Sequence, residues 1–208
     1  MQDLQLKQFS IGRLVTNSYL LHNSSQAVLI DIGGEPAAVL KYLQTNKLEL
    51  LTIFNTHLHF DHVYGNRALA EATGAKIMGN ERDSFIKEEN VAGKGMFGLP
   101  PVPPFEFENL DEGVIEVLGA ECRVLATPGH TPGSLSFYFP AQNWIFCGDL
   151  LFHRAVGRTD FKGGDSEALA ESLRGKVYTL PDDTIAYPGH DEETVVGDEK
   201  RLNPYVRA

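Results

Sequence analysis

Cysteine is scarce in this chain: 208 residues hold two, Cys122 and Cys147. Each stands in a strand-like apolar run, "ECRVLAT" or "WIFCGD". Two buried thiols are expected there, not a disulfide framework, with a reducing, cytoplasmic setting. A chain of this length buries roughly 70% of its unfolded surface, so it needs no covalent staple. Excess positive charge is missing as well. Lys and Arg number 18 against 28 Asp and Glu, leaving a net charge of −10. That balance argues against nucleic acid, whose phosphates it would repel, and supplies no polybasic membrane patch. Solubility is its plain reading. No apolar run approaches the ~18 residues of a membrane span. "MQDLQLKQFS" lacks the basic-then-apolar order of a signal peptide, and no internal repeat is visible.

What is present is strand, turn and punctuated histidine. "LQLKQFSIG", "NSYLLHN" and "QAVLIDIGG" read as three short strands joined by Gly, Asn and Ser turns. "EPAAVLKYLQTNK" carries Ala38, Leu40 and Leu43 at helical spacing behind Pro36. A buried strand, "LELLTIFNT", delivers the chain to His57. "NRALAEATG" reads as a helix, "AKIMGN" as a strand and "ERDSFIKEEN" as helical. Residues 91–105, "VAGKGMFGLPPVPPF", lose all periodicity and read as a loop, possible lid or subunit contact. "GVIEVLG", "CRVLAT", "SLSFYF" and "NWIFCGD" are strands again. "GDSEALAESLRGK" is a helix capped by Asp165 or Ser166. "TIAYPGH" is a last strand before a polar tail with room for a short helix. Neither half alternates strictly between strand and helix, so two packed sheets with helices outside fit better than one parallel sheet.

Five of the seven histidines stand in or beside Gly, Pro and Thr punctuation. "FNTHLHFDHVYGN" holds His57, His59 and His62 with Asp61. His130 stands in "TPGHTPGS", and His190 in "YPGHDEE". Asp149, in "FCGDLLF", joins them. Each group follows a predicted strand, where loops on a rigid scaffold build sites. In extended backbone, residues i and i+2 face one way, so His57 and His59 can meet one cation. Asp61 and His62 follow as the chain turns. Glycines beside His130, Asp149 and His190 permit the turns that aim them inward. Imidazole with carboxylate suits zinc, manganese or iron, and an open site with water is the catalytic type. Without a metal, histidines this close would titrate near neutrality and repel one another.

"THLHFDH", then "TPGHTPGS", "GDLLF" and "YPGH" in that order, resemble the metallo-β-lactamase superfamily, as do the entry "NSYLL" and the turn "LIDIGG". The resemblance covers almost the whole chain, read as one domain over 1–208. It implies an α/β (α+β) fold, the four-layer αββα sandwich, with metals at one edge between the sheets. Carried over residue by residue, it implies that His57, His59 and His130 bind a first ion. Asp61, His62 and His190 would bind a second, with Asp149 bridging. Two divalent ions are implied, zinc first, with iron or manganese as alternatives. The lactamases usually have cysteine at Asp149; aspartate points to the hydrolase branch.

"GRTDFKGGD", Gly157 to Asp165, narrows the resemblance to short glyoxalase II-like enzymes. These hydrolyse S-2-hydroxyacylglutathione, such as S-lactoylglutathione. The implied partner is a small thioester, glutathione-linked, attacked by metal-bound hydroxide with Asp61 orienting the water. Longer members bind glutathione through a C-terminal helical domain that this chain lacks. Persulfide dioxygenases carry a similar stretch and use one iron at positions matching His57, His130 and Asp149, so they stand as an alternative, beside lactonases. Arg154 and Arg158 are candidate contacts for an anionic substrate, although Arg158 could instead pair with Asp160, and Lys162 reads as solvated. Asp31 is a candidate support for a ligand histidine or a simple turn residue. His153, with no motif around it, does not read as a ligand; His22 reads as a strand-end surface residue, and Tyr187 as packing beneath His190. The oligomeric state is left open.

Overall fold

Alternating and wholly apolar strands sort into two sheets. In the computed structural model, residues 4–89 and 101–208 are described. Strands β1 (Gln5–Ile11), β2 (Thr16–His22) and β3 (Gln26–Ile30) form an antiparallel meander. The chain then crosses back through helix α1 (Ala37–Asn46) to β4 (Glu49–Phe54), which lies parallel to β3. Helices α2 (Phe60–Val63) and α3 (Asn66–Thr73) lead to β5 (Lys76–Gly79), again parallel. A 3-10 turn, helix α4 (Ser84–Glu89) and strand β6 (Glu108–Asn109) complete this half. Sheet order is β1-β2-β3-β4-β5-β6.

The second sheet begins with a meander: β7 (Gly113–Val117), β8 (Ala120–Ala126), β9 (Leu135–Phe139) and β10 (Trp144–Gly148). A small hairpin, β11 (Leu151–Phe152) and β12 (Ala155–Val156), and helix α5 (Ser166–Gly175) then intervene. Strand β13 (Ile185–Pro188) returns parallel to β10, flanked by β14 (Thr194–Val195) and helix α6 (Val196–Leu202).

Three apolar layers hold these parts together. Tyr19, Leu21, Val28, Ile30 and Phe54 of the first sheet meet Val124, Phe137 and Phe146 of the second. Outside the first sheet, Leu20, Leu29 and Ile53 pack on Val39 and Leu43 of α1 and Leu69 of α3. Outside the second, Ile145 and Ala186 pack on Leu169 and Leu173 of α5. The result is the expected αββα sandwich. β2 is covered on both faces, so its whole run is buried, polar Thr16 and Asn17 included.

Several local expectations are corrected. The buried stripe of α1 is Val39 and Leu43, an i,i+4 pair, while Ala38 is exposed. Asp165, not Ser166, caps α5, its side chain accepting from the N–H groups of Glu167 and Ala168 at 2.9 and 3.0 Å. His22 is buried, not on the surface: its ring nitrogens lie 2.9 Å from the Asn23 carbonyl and 3.1 Å from the Tyr42 hydroxyl. Of the 91–105 loop, residues 91–100 lie outside the described residues. Phe105, at its end, is buried in the layer outside the first sheet and stands under the Lys87 ammonium. No helix among the described residues is long and apolar enough to cross a membrane.

Candidate metal centre

Four strand ends converge on one edge of the sandwich. β4 ends at Phe54 and releases His57 and His59, with Asp61 and His62 in the first turn of α2. β8, β10 and β13 of the other sheet release His130, Asp149 and His190. The sheets are tied together at this edge. The Leu135 N–H donates to the Thr56 carbonyl at 2.7 Å, and the Asn17 N–H to the Gly189 carbonyl at 2.8 Å. The Tyr19 hydroxyl donates to the Pro188 carbonyl at 2.7 Å.

The seven side chains form overlapping groups. Donor atoms of His57, His59 and His130 lie within 4.8 Å of one another, as do those of Asp61, His62 and His190, and of His57, His62 and Asp149. Asp149 reaches both sides: its Oδ1 is 3.3 Å from His62 Nε2, and its Oδ2 is 3.6 Å from His130 Nε2 and 3.7 Å from His190 Nε2. His190 Nε2 is 3.2 Å from Asp61 Oδ2. The five histidines, Asp61 and Asp149 are brought together at one edge.

The glycines act differently from one another. Gly129 and Gly148 have φ of 142° and 52°, turns that favour glycine. Gly189 has ordinary backbone but no room: a Cβ there would sit 2.2 Å from Asp149 Oδ1 and 2.6 Å from His62 Cε1.

The donor set fits divalent cations. His57 Nε2, His62 Nε2 and Asp149 Oδ1, from one group, are buried without a hydrogen-bond partner, while His59 faces His130 through its Nδ1, 2.9 Å from His130 Nε2. Buried polar atoms are almost always bonded, so a cluster of orphans aimed at one space calls for a ligand. The far ring nitrogens of other histidines are occupied, which orients the rings. His130 Nδ1–H donates to the Arg158 carbonyl at 2.7 Å, and His190 Nδ1–H to the Leu14 carbonyl at 3.1 Å. His62 Nδ1–H donates to Asp31 Oδ2 at 2.8 Å. Asp31 also accepts from the Thr56 N–H and hydroxyl at 2.8 and 2.7 Å. It therefore supports a histidine and the start of the ligand loop together.

Electrostatics separates the histidines. Burial, with three neighbouring imidazoles, holds His57 far below the ordinary histidine range. Burial and His130 bring His59 down to about 3. Both are neutral imidazoles at physiological pH, the form that ligates. His62 moves the other way: burial opposes its charge, but Asp149, Asp31 and Asp61 outweigh burial and raise it. Burial likewise opposes ionisation of Asp149, yet His62, His130 and His190 hold it well below the usual carboxylate range.

Other candidates are placed less centrally. Arg158 turns outward, its guanidinium forked on Asp160 with both contacts at 2.7 Å and its centre 3.8 Å over the Phe161 ring. Its backbone, not its side chain, touches the ligand set, and Phe161 packs edge-on to His59 with centroids 5.7 Å apart. Much of "GRTDF" is thus a wall of the centre. Arg154, a candidate substrate contact, is bonded to the fully buried Glu199. Lys162 is not merely solvated; it pairs with Glu89 at 2.6 Å. His153 pairs with Glu192 at 2.6 Å on the surface. Tyr187 stacks on Phe146, centroids 5.1 Å apart. Beside Asp61 a cleft of about 250 Å³ is lined by Arg13, Leu14, Phe60 and Tyr64. A larger hollow of about 570 Å³, around Arg67 and Lys76, contains none of the candidate ligands.

The comparisons agree with this geometry. The metallo-beta-lactamase superfamily model matches residues 11–190. The chain belongs to that superfamily. It is 35% identical over 195 residues to the hydroxyacylglutathione hydrolase GloC of Haemophilus influenzae, covering 92% of each chain. A solved structure of TTHA1623 in a di-iron-bound form is 38% identical, with TM-score 0.88, over 96% of this chain and 100% of that one. ETHE1 from Myxococcus xanthus is 34% identical, with TM-score 0.75, over 97% and 84%. The chain is thus a metal-dependent hydrolase of the metallo-β-lactamase fold, with a His/Asp cluster suited to divalent ions.

Proposed function

We propose that the chain, acting as one unit over 1–208, is a glyoxalase II-like thioesterase that hydrolyses S-2-hydroxyacylglutathione. The observation that carries the reading is the complete seven-residue donor set with Asp149, not cysteine, between its two halves. His57, His59 and His130 would hold one ion, Asp61, His62 and His190 another, with Asp149 shared. Zinc is the favoured metal. When bound, such ions supply a hydroxide at neutral pH and polarise a carbonyl.

The protein's own groups do the rest. Asp61, its side chain 12% exposed beside the cleft, accepts a hydrogen bond from the attacking water and directs its lone pair. Asp31 fixes the His62 ring. The cleft between Leu14, Phe60 and Tyr64 gives room for a small acyl group. A thiolate is a good leaving group, so the set needs no strong general acid. The name of the Haemophilus influenzae relative supports the glutathione-linked substrate, and the two free, buried thiols fit a reducing, cytoplasmic setting.

A second reading has its own support. His130 lies near Asp149, and His57 shares a group with Asp149, the trio a mononuclear iron dioxygenase would use. The iron-bound neighbour keeps iron in play. Metal analysis of protein purified without chelators, with assays on S-lactoylglutathione and glutathione persulfide, separates them. Two ions per chain with thioester cleavage is expected. One iron per chain with oxygen uptake on the persulfide would overturn the proposal.

A further inference from the structure

The ligand loops are braced from a second side by a carboxylate that stands in no motif. Asp83 ends the 3-10 turn Glu81–Asp83, which Asn80 caps by accepting from the Arg82 N–H at 3.1 Å. Its side chain is fully buried. Its Oδ2 accepts from the Thr131 hydroxyl at 2.7 Å and from the Leu58 N–H at 3.3 Å, and its Oδ1 from the Gly133 N–H at 2.7 Å. Leu58 lies between His57 and His59, and Thr131 follows His130. One carboxylate therefore joins the two loops that carry the all-histidine group.

The approach is built for this. A Cβ on Gly133 would lie 2.7 Å from both Cγ and Oδ1 of Asp83. This accounts for the second glycine of "TPGHTPGS": any side chain there would push the carboxylate off its donors. Burying a carboxylate is costly unless donors repay it, and here all three partners donate. Burial still leaves its carboxyl above the ordinary range, against the pull of Thr131, Gly133 and Leu58. An asparagine would have to turn its amide N–H₂ toward at least one N–H or O–H donor. Asp31 bonds His62 directly and reaches His57 through the Thr56 hydroxyl, which lies 3.1 Å from His57 Nδ1, so of the two buried carboxylates it is Asp83 that ties the His57–His59 loop to the His130 loop.

We infer that Asp83 is a positioning residue for the first ion, holding His57, His59 and His130 in register through Leu58, Thr131 and Gly133. The inference rests on the ligand assignment proposed above. The test is cobalt titration of the full chain against a competing chelator, followed by absorption and by the ring N–H proton resonances of His130 and His190, one from each group. In Asp83→Asn, first-group affinity is expected to fall about 10–100-fold, with the second group roughly unchanged, and circular dichroism that of a folded chain. A folded Asp83→Asn that binds both ions like the wild type, or loses both equally, overturns the inference. Should that variant not fold, Thr131→Val removes one of the three bonds and is expected to weaken the first group selectively; unchanged affinity there overturns it as well. The wild-type titration judges the ligand assignment, and the variants judge Asp83.

Discussion

Asp61 is the residue on which metal binding and water activation meet. It stands 3.2 Å from His190 Nε2 at the mouth of the cleft, and two imidazoles, His62 and His190, share its group. Burial opposes its charge, but His62 and His190 overcome burial and keep it ionised. Asp61→Ala should therefore lower thioester turnover by roughly 10²–10⁴-fold and weaken the second ion, with the melting profile of the ion-free protein little changed. Steady-state kinetics with metal analysis checks this; full turnover in the variant would refute the dinuclear reading. The thiols make a separate case. Burial pushes Cys122 and Cys147 up to about 12. The thiolate is the reactive form, and a raised pKa depletes it at every pH below that value. Ellman's reagent at pH 8 should find essentially no reactive thiol in the folded protein, and both after denaturation. Rapid labelling of the native chain would contradict the burial described.

At the scale of the element, the strand ends matter more than the strands. β4 and β8 supply backbone bonds, and the short segments after them turn those into directed side chains. Helix α5 anchors one such segment. Its cap residue Asp165 also donates its backbone N–H to the Gly129 carbonyl, at 2.8 Å, in the turn that precedes His130. Asp165→Ala removes two N-cap hydrogen bonds and should cost about 1 kcal/mol of stability, read as a lower midpoint in denaturant. Because the backbone bond to Gly129 survives the substitution, metal content should hold. Loss of metal with no loss of stability would show that the cap has been misread. The "GRTDF" segment makes the same point in reverse. Its arginine read as a substrate contact or as the partner of Asp160; the Arg158 guanidinium faces Asp160, and the Arg158 carbonyl orients His130.

For the whole molecule, the centre is a seam between two sheets. One sheet supplies His57, His59, Asp61 and His62; the other supplies His130, Asp149 and His190. Ions bound there cross-link the halves and bind the folded state only, so removing them should destabilise the protein. Free metal at about 100 times Kd adds about 2.7 kcal/mol per site. Chelation should thus lower the melting temperature, and readdition should restore it. A melting temperature indifferent to chelator would argue against ions spanning the seam.

The sequence by itself determined the layer type and the superfamily, and it supplied the metal-ligand set proposed above. Strand periodicity, helix spacing and the histidine motifs are local, and they survive without knowing what packs on what. It did not disclose Asp83, the Leu14 carbonyl or the true partner of Arg154, although it offered the Arg158–Asp160 pair two residues apart. Those depend on which segments meet. Asp83 sits in an ordinary acidic stretch, "NERDSF", and becomes a brace only because Gly133, fifty positions on, leaves space beside it. A free-looking arginine near a motif becomes committed once Glu199 is buried beneath it. Tertiary structure alone decided these contacts. Hydrogen bonds and ion pairs between distant segments carry no signature in either segment.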